Sequence, residues 1–216
     1  MEIIPPAGGE LIADAPDRRV EILCEDDALH ATWSRVGAGR EGADLHVHRR
    51  HSDLFYVLSG ELTVRLGLDG EGVVVPAGTL ARVPPLVVHG YRNASAAEVR
   101  FLNFHAPGTR FAGYLRALRD GRPHDFDQEP PPADGGRPVA DVYVGAAGVS
   151  FDVISLAELD RAAPDEPQWL YVLAGELEVG GRRAGAGSWV SAPQAVTGRG
   201  RHLALRGDES GVARRS

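Results

Sequence analysis

The sequence has little cysteine and a shortage of positive charge. Cys24 is the only cysteine among 216 residues, which excludes an internal disulfide and a zinc site built from cysteines. The chain has 30 acidic and 23 basic residues and a net charge of −7, which argues against binding nucleic acid or an anionic membrane. No apolar run approaches the roughly 18 residues of a membrane-spanning helix, and no secretory signal is visible. We therefore expect a cytoplasmic protein.

Glycine and proline, in contrast, are abundant, with 27 and 15 residues. They separate short apolar segments such as Leu54–Gly60 and Gly72–Gly78, and a turn recurs about every 8–12 residues. Within these segments, apolar residues either alternate with polar ones or form short continuous runs, as in half-buried and fully buried strands. The pattern predicts an all-β fold of the sandwich or barrel type.

A single helix is predicted, over Arg110–Asp120. Its apolar residues fall at i, i+3, i+4 and i+7 and would form one face against the strands: Phe111, Tyr114, Leu115 and Leu118. Gly121 and Pro123 mark the end of the helix. Residues 121–138 contain five prolines, several acids and few apolar side chains, so we predict a linker there.

An internal repeat organises the chain. The segment Tyr56–Val64 recurs as Tyr171–Val179 with two differences in nine positions. Farther on, a glycine, five intervening residues and a proline occur in both copies, at Gly78–Pro84 and Gly187–Pro193. We therefore predict four parts: a first barrel with its helix (1–120), the linker (121–138), a second barrel (139–207) and a flexible tail (208–216).

Three histidines and one acid indicate a metal site in the first copy. His46 and His48 are two positions apart, so on a strand their imidazoles share a face at a spacing of about 6.6 Å and can converge on one ion. Asp53 follows a turn and could reach the same ion from the next strand. A fourth ligand is available at His89, which opens a strand after two prolines. The alternative is a cluster of histidines at a strand edge, without a metal.

These spacings resemble the two sequence motifs of the cupin family. In the first motif, His-x-His is followed by four residues, an acid, six residues and a glycine, which here are His46, His48, Asp53 and Gly60. In the second motif, a glycine is followed by five residues and then by Pro-x-Gly, two residues, a histidine, three residues and an asparagine. The corresponding residues here are Gly78, Pro84, Leu86 in place of the last glycine, His89 and Asn93. The seventeen residues between Gly60 and Gly78 match the modest gap that cupins commonly show.

Three positions depart from the cupin motifs. Arg40 and Leu86 stand where the motifs have glycine, and Asp53 replaces the usual glutamate. Because aspartate is one methylene shorter, Asp53 could lie farther from the ion or bind it through water. None of the departures removes a nitrogen ligand.

The resemblance implies two cupin-type jelly-roll β-barrels in one chain, with a short connecting helix. It implies one divalent transition metal ion (Fe, Mn, Ni, Cu or Zn) in the first barrel, held by His46, His48, Asp53 and His89. The chain resembles the quercetin-dioxygenase-like cupins, which implies an oxidoreductase acting on a small enolic or phenolic molecule, with Asp53 as a base for a substrate hydroxyl. The alternatives are a non-redox metal-dependent isomerase or lyase, and a small-molecule-binding cupin without turnover. Since cupin barrels often pair through edge strands, a homodimer is also expected.

The second copy lacks the ligand set. Aligning the repeats places other residues at the four ligand positions: Arg161, Ala163, Gln168 and Gly198. We therefore predict a degenerate, metal-free cupin barrel. The alternative is a new binding site built from Asp165, Glu166 or Trp169.

The remaining histidines are expected to stay outside the metal site. His51 is predicted to be a solvated turn residue or a contact of a ligand, and His105 to lie at the rim or in packing. His30, His124 and His202 have no partners in the sequence pattern, so we place them at the surface.

Overall fold

A computed structural model describes residues 1–161 and 167–207 of the chain. These residues form one α-helix, α1 (Phe111–Arg119), a short 3-10 helix (Val139–Asp141) and the following strands: β1 (Glu2–Ile4), β2 (Glu10–Ala15), β3 (Arg18–Glu25), β4 (His30–Val36), β5 (Ser52–Ser59), β6 (Glu61–Leu66), β7 (Glu71–Pro76), β8 (Leu80–Val83), β9 (His89–Arg92), β10 (Val99–Ala106), β11 (Tyr143–Gly145), β12 (Val149–Ser150), β13 (Ile154–Arg161), β14 (Trp169–Val179), β15 (Arg182–Gly185), β16 (Trp189–Ser191) and β17 (Val196–Gly207). The predicted all-β class with one short helix is confirmed. Among the described residues, no helix has the length and apolar character needed to cross a bilayer.

The chain divides into two compact units. The first unit is Leu11–Ala146, and the second is Met1–Glu10 together with the chain from Ala147 onward. This division differs from the predicted boundaries at 1–120 and 139–207. The N-terminal strand β1 belongs to the second unit because it pairs with β16, and the predicted tail at 208–216 lies outside the described residues.

The first unit is built from two antiparallel sheets. The larger has the strand order β11-β8-β5-β10-β4-β3-β2, and the smaller has the order β7-β6-β9. Side chains from both sheets meet in one apolar core: Val36, Phe55, Val57, Leu62, Val64, Leu66, Val75, Ala81, Val83, Val87, Val99 and Phe101. Alternation along β5 turns Phe55 and Val57 into this core, and we call the side of the larger sheet that faces it the inner face.

Helix α1 packs on the larger sheet near β2 and β3. It buries Ala112 and Leu115 against Val20 and Ile22. Phe111, Tyr114 and Leu115 take part as predicted, but Leu118 is wrong, because 48% of it is exposed. Small alanines fill the helix–sheet contact instead. The helix ends at Arg119, one residue before the predicted end. Gly121 follows with a φ of 62°, the left-handed conformation that glycine favours.

The predicted linker at 121–138 is part of the first unit. Val47 and Glu129 exchange two backbone hydrogen bonds, with N–O distances of 2.9 and 3.0 Å. Farther along, Arg137 N–H donates to Leu86 O at 2.9 Å. The composition misled the prediction: the prolines lack N–H groups, but a few residues between them supply enough hydrogen bonds to fix the segment.

The second unit has one seven-stranded sheet with the order β1-β16-β14-β17-β13-β12, in which β15 also pairs with β14. Its core contains a smaller apolar cluster: Leu170, Val172, Leu177, Val179, Ala184, Val190 and Ala204. The repeated glycines share a left-handed backbone conformation, since Gly60 and Gly175 have φ values of 76° and 78°. The same is true of Gly78 and Gly187, at 79° and 86°.

Candidate metal site

The site begins with a short backbone pairing outside the main strands. His46 and His89 exchange two backbone hydrogen bonds, with N–O distances of 2.8 and 2.9 Å. His48 lies two positions farther on, where its carbonyl accepts a hydrogen bond from Leu86 N–H at 2.7 Å. Leu86 makes this turn with a φ of 70°, the left-handed conformation for which the cupin motif has glycine. The turn is thus formed despite the departure in sequence.

The structure brings together the four predicted side chains. One ligand atom from each of His46, His48, Asp53 and His89 lies within 4.8 Å of the others. All four residues are buried. Three imidazoles and a carboxylate on one small volume suit a divalent transition metal.

The outer nitrogen of each imidazole is already hydrogen-bonded to a backbone carbonyl. His46 Nδ1 lies 2.6 Å from Asp44 O, and His89 Nδ1 lies 2.9 Å from Val87 O. His48 Nδ1 bonds to the carbonyl of Asp127. Since a carbonyl only accepts, each Nδ1 carries the proton and each Nε2 presents a lone pair.

Those lone pairs face one another. His46 Nε2 is 3.2 Å from His48 Nε2, a distance at which two acceptors repel unless a cation lies between them. Burial, followed by the effects of His89 and His48, lowers the pKa of His46 to about 3, so a proton is a poor candidate for that cation at neutral pH. The donor set therefore fits a metal ion.

Asp53 opens β5 and turns one carboxylate oxygen toward the imidazoles. Its Oδ2 is 3.4 Å from His89 Nε2 and 3.9 Å from His48 Nε2. Its Oδ1 accepts a hydrogen bond from the side-chain amide of Asn103, which also donates to Leu54 O at 3.1 Å. Although burial opposes ionisation, the imidazoles around it, His105 first, hold the pKa of Asp53 well below its ordinary value. Asp53 is thus an ionised carboxylate with a fixed orientation.

A second group of histidines lies directly behind the first. His48, His51 and His105 could also bring nitrogen atoms within 4.8 Å of one another. His51 Nδ1–H donates to Asp127 Oδ2 at 3.0 Å, and its Nε2 is hydrogen-bonded to His105 Nδ1 at 2.9 Å. Of the two roles predicted for His51, the solvated turn residue is wrong, because it is fully buried; it contacts the ligand His48 through stacked rings 4.0 Å apart.

Asp127 is the residue that sequence reasoning missed. It lies in the predicted linker, yet its carboxylate accepts backbone hydrogen bonds from Arg49 N at 2.9 Å and from Arg50 N at 2.8 Å. Together with the bonds to His48 and His51, these contacts fix the turn between the second histidine ligand and Asp53. The hydrogen bonds of His51, Arg49 and Arg50 lower the pKa of Asp127 although burial opposes them. The one available signal was an acid next to an aromatic residue, Phe126, in a proline-rich segment.

Aromatic rings cover the histidines on the helix side. Phe126 lies 5.6 Å from His48 and 5.5 Å from His51, measured between ring centroids. It stacks on Tyr114 at 4.7 Å, and Phe111 stacks on His105 at 3.7 Å. We call Phe111, Tyr114 and Phe126 the aromatic cluster. His105 therefore has the predicted packing role and, in addition, the hydrogen bond to His51.

The surface predictions for the isolated histidines were right in one case of three. His124 is exposed, but His30 and His202 are buried. Both lie on strands, where alternation hides every second side chain whatever its polarity. His202 retains a hydrogen bond from Nδ1 to Gly200 O, at 2.9 Å.

At the ligand positions of the second unit, the described residues have structural roles. Gln168, which aligns with Asp53, accepts a hydrogen bond from Gly207 N–H at 2.6 Å. Gly198, which aligns with His89, has a φ of 98° and no side chain to offer. Arg161 pairs through its backbone with Arg199. Ala163, Asp165 and Glu166 lie outside the described residues, and Trp169 is buried in its sheet.

The sequence of the first unit matches a known domain. A cupin-domain family model matches residues 32–105, the stretch from β4 to β10 that holds all four clustered side chains. Residues 32–105 therefore form a cupin domain. A search of curated proteins found no match to the sequence.

Solved structures extend the likeness in fold to both units of the chain. Bacterial pirin YhhW from Escherichia coli, in complex with nickel(II), has a TM-score of 0.61 at 14% identity and covers 94% of this chain and 97% of its own. A mutant of oxalate decarboxylase from Bacillus subtilis has a TM-score of 0.59 at 13% identity, covering 97% and 78%. A glyoxylate-induced protein from Pseudomonas aeruginosa has a TM-score of 0.57 at 17% identity, covering 91% and 84%. At such identities the likeness concerns the fold, which is of the two-barrel cupin type.

Proposed function

We propose that His46, His48, Asp53 and His89 bind one divalent transition metal ion and that the protein is a dioxygenase-like oxidoreductase. The observation that carries the metal proposal is the orientation of the donors. Three Nε2 lone pairs and one ionised carboxylate oxygen point at one another, while every outer nitrogen is bonded to a carbonyl. Such outer hydrogen bonds are typical of metal-binding histidines.

The identity of the ion is one of Fe, Mn, Ni, Cu and Zn. Three nitrogens and one oxygen do not select among them. The nickel(II) complex of a protein with the same fold supports nickel as one candidate. When bound, the ion would supply Lewis acidity and, if redox-active, an electron path between substrate and O2.

The surroundings favour a small, planar, enolic or phenolic substrate. Farther along β5 from Asp53 the inner face is apolar, with Phe55, Val57 and Phe101 buried in the core. The aromatic cluster lies beside His48, and its three members are half-buried. Aromatic side chains of this kind can stack on a planar ring and exclude water from the reacting atoms.

The chain's own residues would hold and orient the reactants. Asn103 fixes the Asp53 carboxylate, and Asp127 fixes the tautomer of His48. As a possible base for a substrate hydroxyl, Asp53 has the ionised form that this role requires, but its lowered pKa makes it a weak one. We therefore assign Asp53 mainly to metal binding and to accepting a hydrogen bond from the substrate.

Oxygen uptake tests this proposal. Protein loaded separately with Fe, Mn, Ni, Cu and Zn is incubated with a flavonol or a β-diketone, and oxygen consumption is followed with an electrode. We expect consumption with at least one redox-active ion and none with Zn. The control is His124→Ala, which changes an exposed histidine and should consume oxygen like the wild type. Absence of uptake with every ion would contradict the dioxygenase proposal.

A non-redox lyase is the second candidate. It is favoured by polar side chains on the inner face, where Thr32 and Asn103 lie opposite each other on β4 and β10. A solved structure of similar fold is an oxalate decarboxylase. Turnover of a small carboxylate under anaerobic conditions, with Zn in place of a redox metal, would decide for this alternative.

A further inference from the structure

The inner face of the larger sheet carries a row of polar side chains that extends from the metal cluster. His105 is paired in register with Asp53 on one side and with His30 on the other. The three residues therefore lie next to one another on β4, β10 and β5. Because Val36, six positions after His30 on the same strand, is part of the core, alternation turns the His30 side chain to the inner face as well.

His30 has no hydrogen-bond partner for either ring nitrogen among the described residues. Its residue exposure is 1%, so bulk water does not reach the ring. A buried polar group without a partner costs about 1–3 kcal/mol, and such groups in native proteins usually have a reason. Phe111 contacts the ring edge-on at 5.4 Å, which leaves both nitrogens without a polar contact.

The chemistry of His30 fits a neutral ligand group. Burial, with a contribution from Arg116, lowers the pKa of His30 to about 3, so the ring is uncharged near neutral pH and offers one donor and one acceptor. A hydroxyl group both donates and accepts, and it can satisfy either nitrogen. The neighbouring cation Arg116, which pairs with Glu25 at 2.9 Å, disfavours a positively charged group at this place.

The spacing limits the size of the ligand. His30 and Asp53 are separated by two strand spacings, about 10 Å between backbones. His105 lies on the strand between them and projects from the same face, so a ligand that contacts both residues lies across the His105 ring, beside Phe111. One ring with a short arm could reach from the metal cluster to His30.

We propose that His30 is a substrate-binding residue, which hydrogen-bonds a distal hydroxyl group of a small molecule whose other oxygen atoms bind at the His46, His48, Asp53 and His89 cluster. The proposal rests on the metal site proposed above. It adds that the substrate has two oxygen functions, one at each end.

A matched pair of ligands tests the assignment. 3,4-Dihydroxybenzyl alcohol and 4-ethylcatechol have nearly the same shape and differ by one hydroxyl in place of a methyl group. Their affinities are measured by calorimetry on protein loaded with Zn, which does not oxidise them. One hydrogen bond corresponds to a preference for the alcohol of about 10-fold, and His30→Phe should remove or reverse it.

Two further variants separate recognition from folding. His30→Gln keeps a donor and an acceptor and should retain part of the preference, even if His30→Phe proves unstable. His124→Phe changes an exposed histidine and should leave the preference unchanged. Equal affinity of wild-type protein for the two ligands, or the same preference in His30→Phe, would overturn the role of His30.

A second pair separates this proposal from the proposed function. 3-Hydroxypropionate and butyrate differ in the same way but bind the metal through a carboxylate. If the hydroxylated ligand is preferred in this pair but not in the catechol pair, and His30→Phe removes the preference, the result supports the role of His30 and contradicts the phenolic substrate class. If zinc and both pairs bind without such a preference, only the His30 assignment is overturned. If the wild type takes up no zinc, or if neither pair binds to the zinc-loaded protein, both proposals are overturned.

Discussion

The two units share their turns and differ in their polar side chains. Pro84 is followed by Leu86 with a φ of 70°, and Pro193 by Ala195 with a φ of 46°, so both turns are left-handed without glycine. In the first unit this turn leads to His89, which faces two other imidazoles. In the second it leads to Gly198. The comparison indicates that the turns depend on backbone conformation, whereas the chemistry depends on a few side chains that can be lost while the turns are kept.

The largest effect is expected from removing a ligand of the first unit. His48→Ala should weaken metal binding by well over about 100-fold, more than the loss of an outer hydrogen bond causes. The apolar core should keep the unit folded. Metal affinity is measured by competition with a chelator, and circular dichroism checks the fold. Gln168→Ala, at the equivalent position of Asp53 in the second unit, should leave metal affinity unchanged; a loss there would remove the distinction between the units.

A smaller loss is expected from Asp127→Asn. An amide cannot accept both backbone N–H groups and the His51 proton, so the turn next to His48 should loosen. We expect metal affinity to fall about 10- to 100-fold.

The matched control for Asp127 is Glu129→Gln. Glu129 lies in the same segment, but its carboxylate forms an exposed ion pair with Arg49, which contributes little. Equal effects of the two substitutions would mean that the whole segment, and not the Asp127 contacts, sets the affinity.

The repeated glycines allow a direct comparison of stability. Alanine at Gly60 or Gly175 would require a left-handed φ, at a cost of about 1–2 kcal/mol. A methyl group on Gly60 would also lie 2.5 Å from Glu98 O, against 3.1 Å from Arg199 O for Gly175. Gly60→Ala should therefore lower the unfolding temperature of its unit more than Gly175→Ala does. Calorimetry measures both, and the reverse order would contradict the closer contact at Gly60.

The remaining effect is a dependence of stability on pH in the first unit. The pKa of His30, about 3 when folded, has an ordinary value of 6.5. Below about pH 6.5 the unfolded chain binds a proton that the folded chain does not, so stability falls as the pH falls from 6.5 toward 3. His46 and His51, with pKa values of about 3 and about 4, act in the same sense.

The slope of the unfolding free energy against pH is set by the number of protons that the unfolded chain binds in excess. Replacing His30 with phenylalanine removes one such proton and should reduce the slope by about 1.4 kcal/mol per pH unit. The measurement is urea unfolding of metal-free protein between pH 6 and 4. An unchanged slope in His30→Phe would contradict the burial of a neutral imidazole at this position.

Sequence reasoning recovered the features that depend on local spacing. The strand class, the repeat, the helix and the four clustered side chains all follow from periods of two, from helical periodicity or from motif spacing. His46 and His48 could be placed on one face because two positions along a strand is a fixed geometry.

Long-range contacts could not be read in the same way. Asp127 lies 79 positions from His48, and nothing in its segment indicates that it folds back. His30 and His51 are polar residues buried by their neighbours across the sheet, which depends on a register that the sequence does not specify. Composition alone therefore placed the segment 121–138 in a linker and these histidines in solvent.

Metal analysis of the purified protein tests the central claim most directly. Plasma mass spectrometry should find close to one divalent transition metal ion per chain in the wild type after loading and removal of excess ion. The double variant His46→Ala/His89→Ala should bind no metal ion while its fold is retained. Metal content that is unchanged in this variant, or a wild type that binds no ion, would contradict the assignment of the site to the first unit.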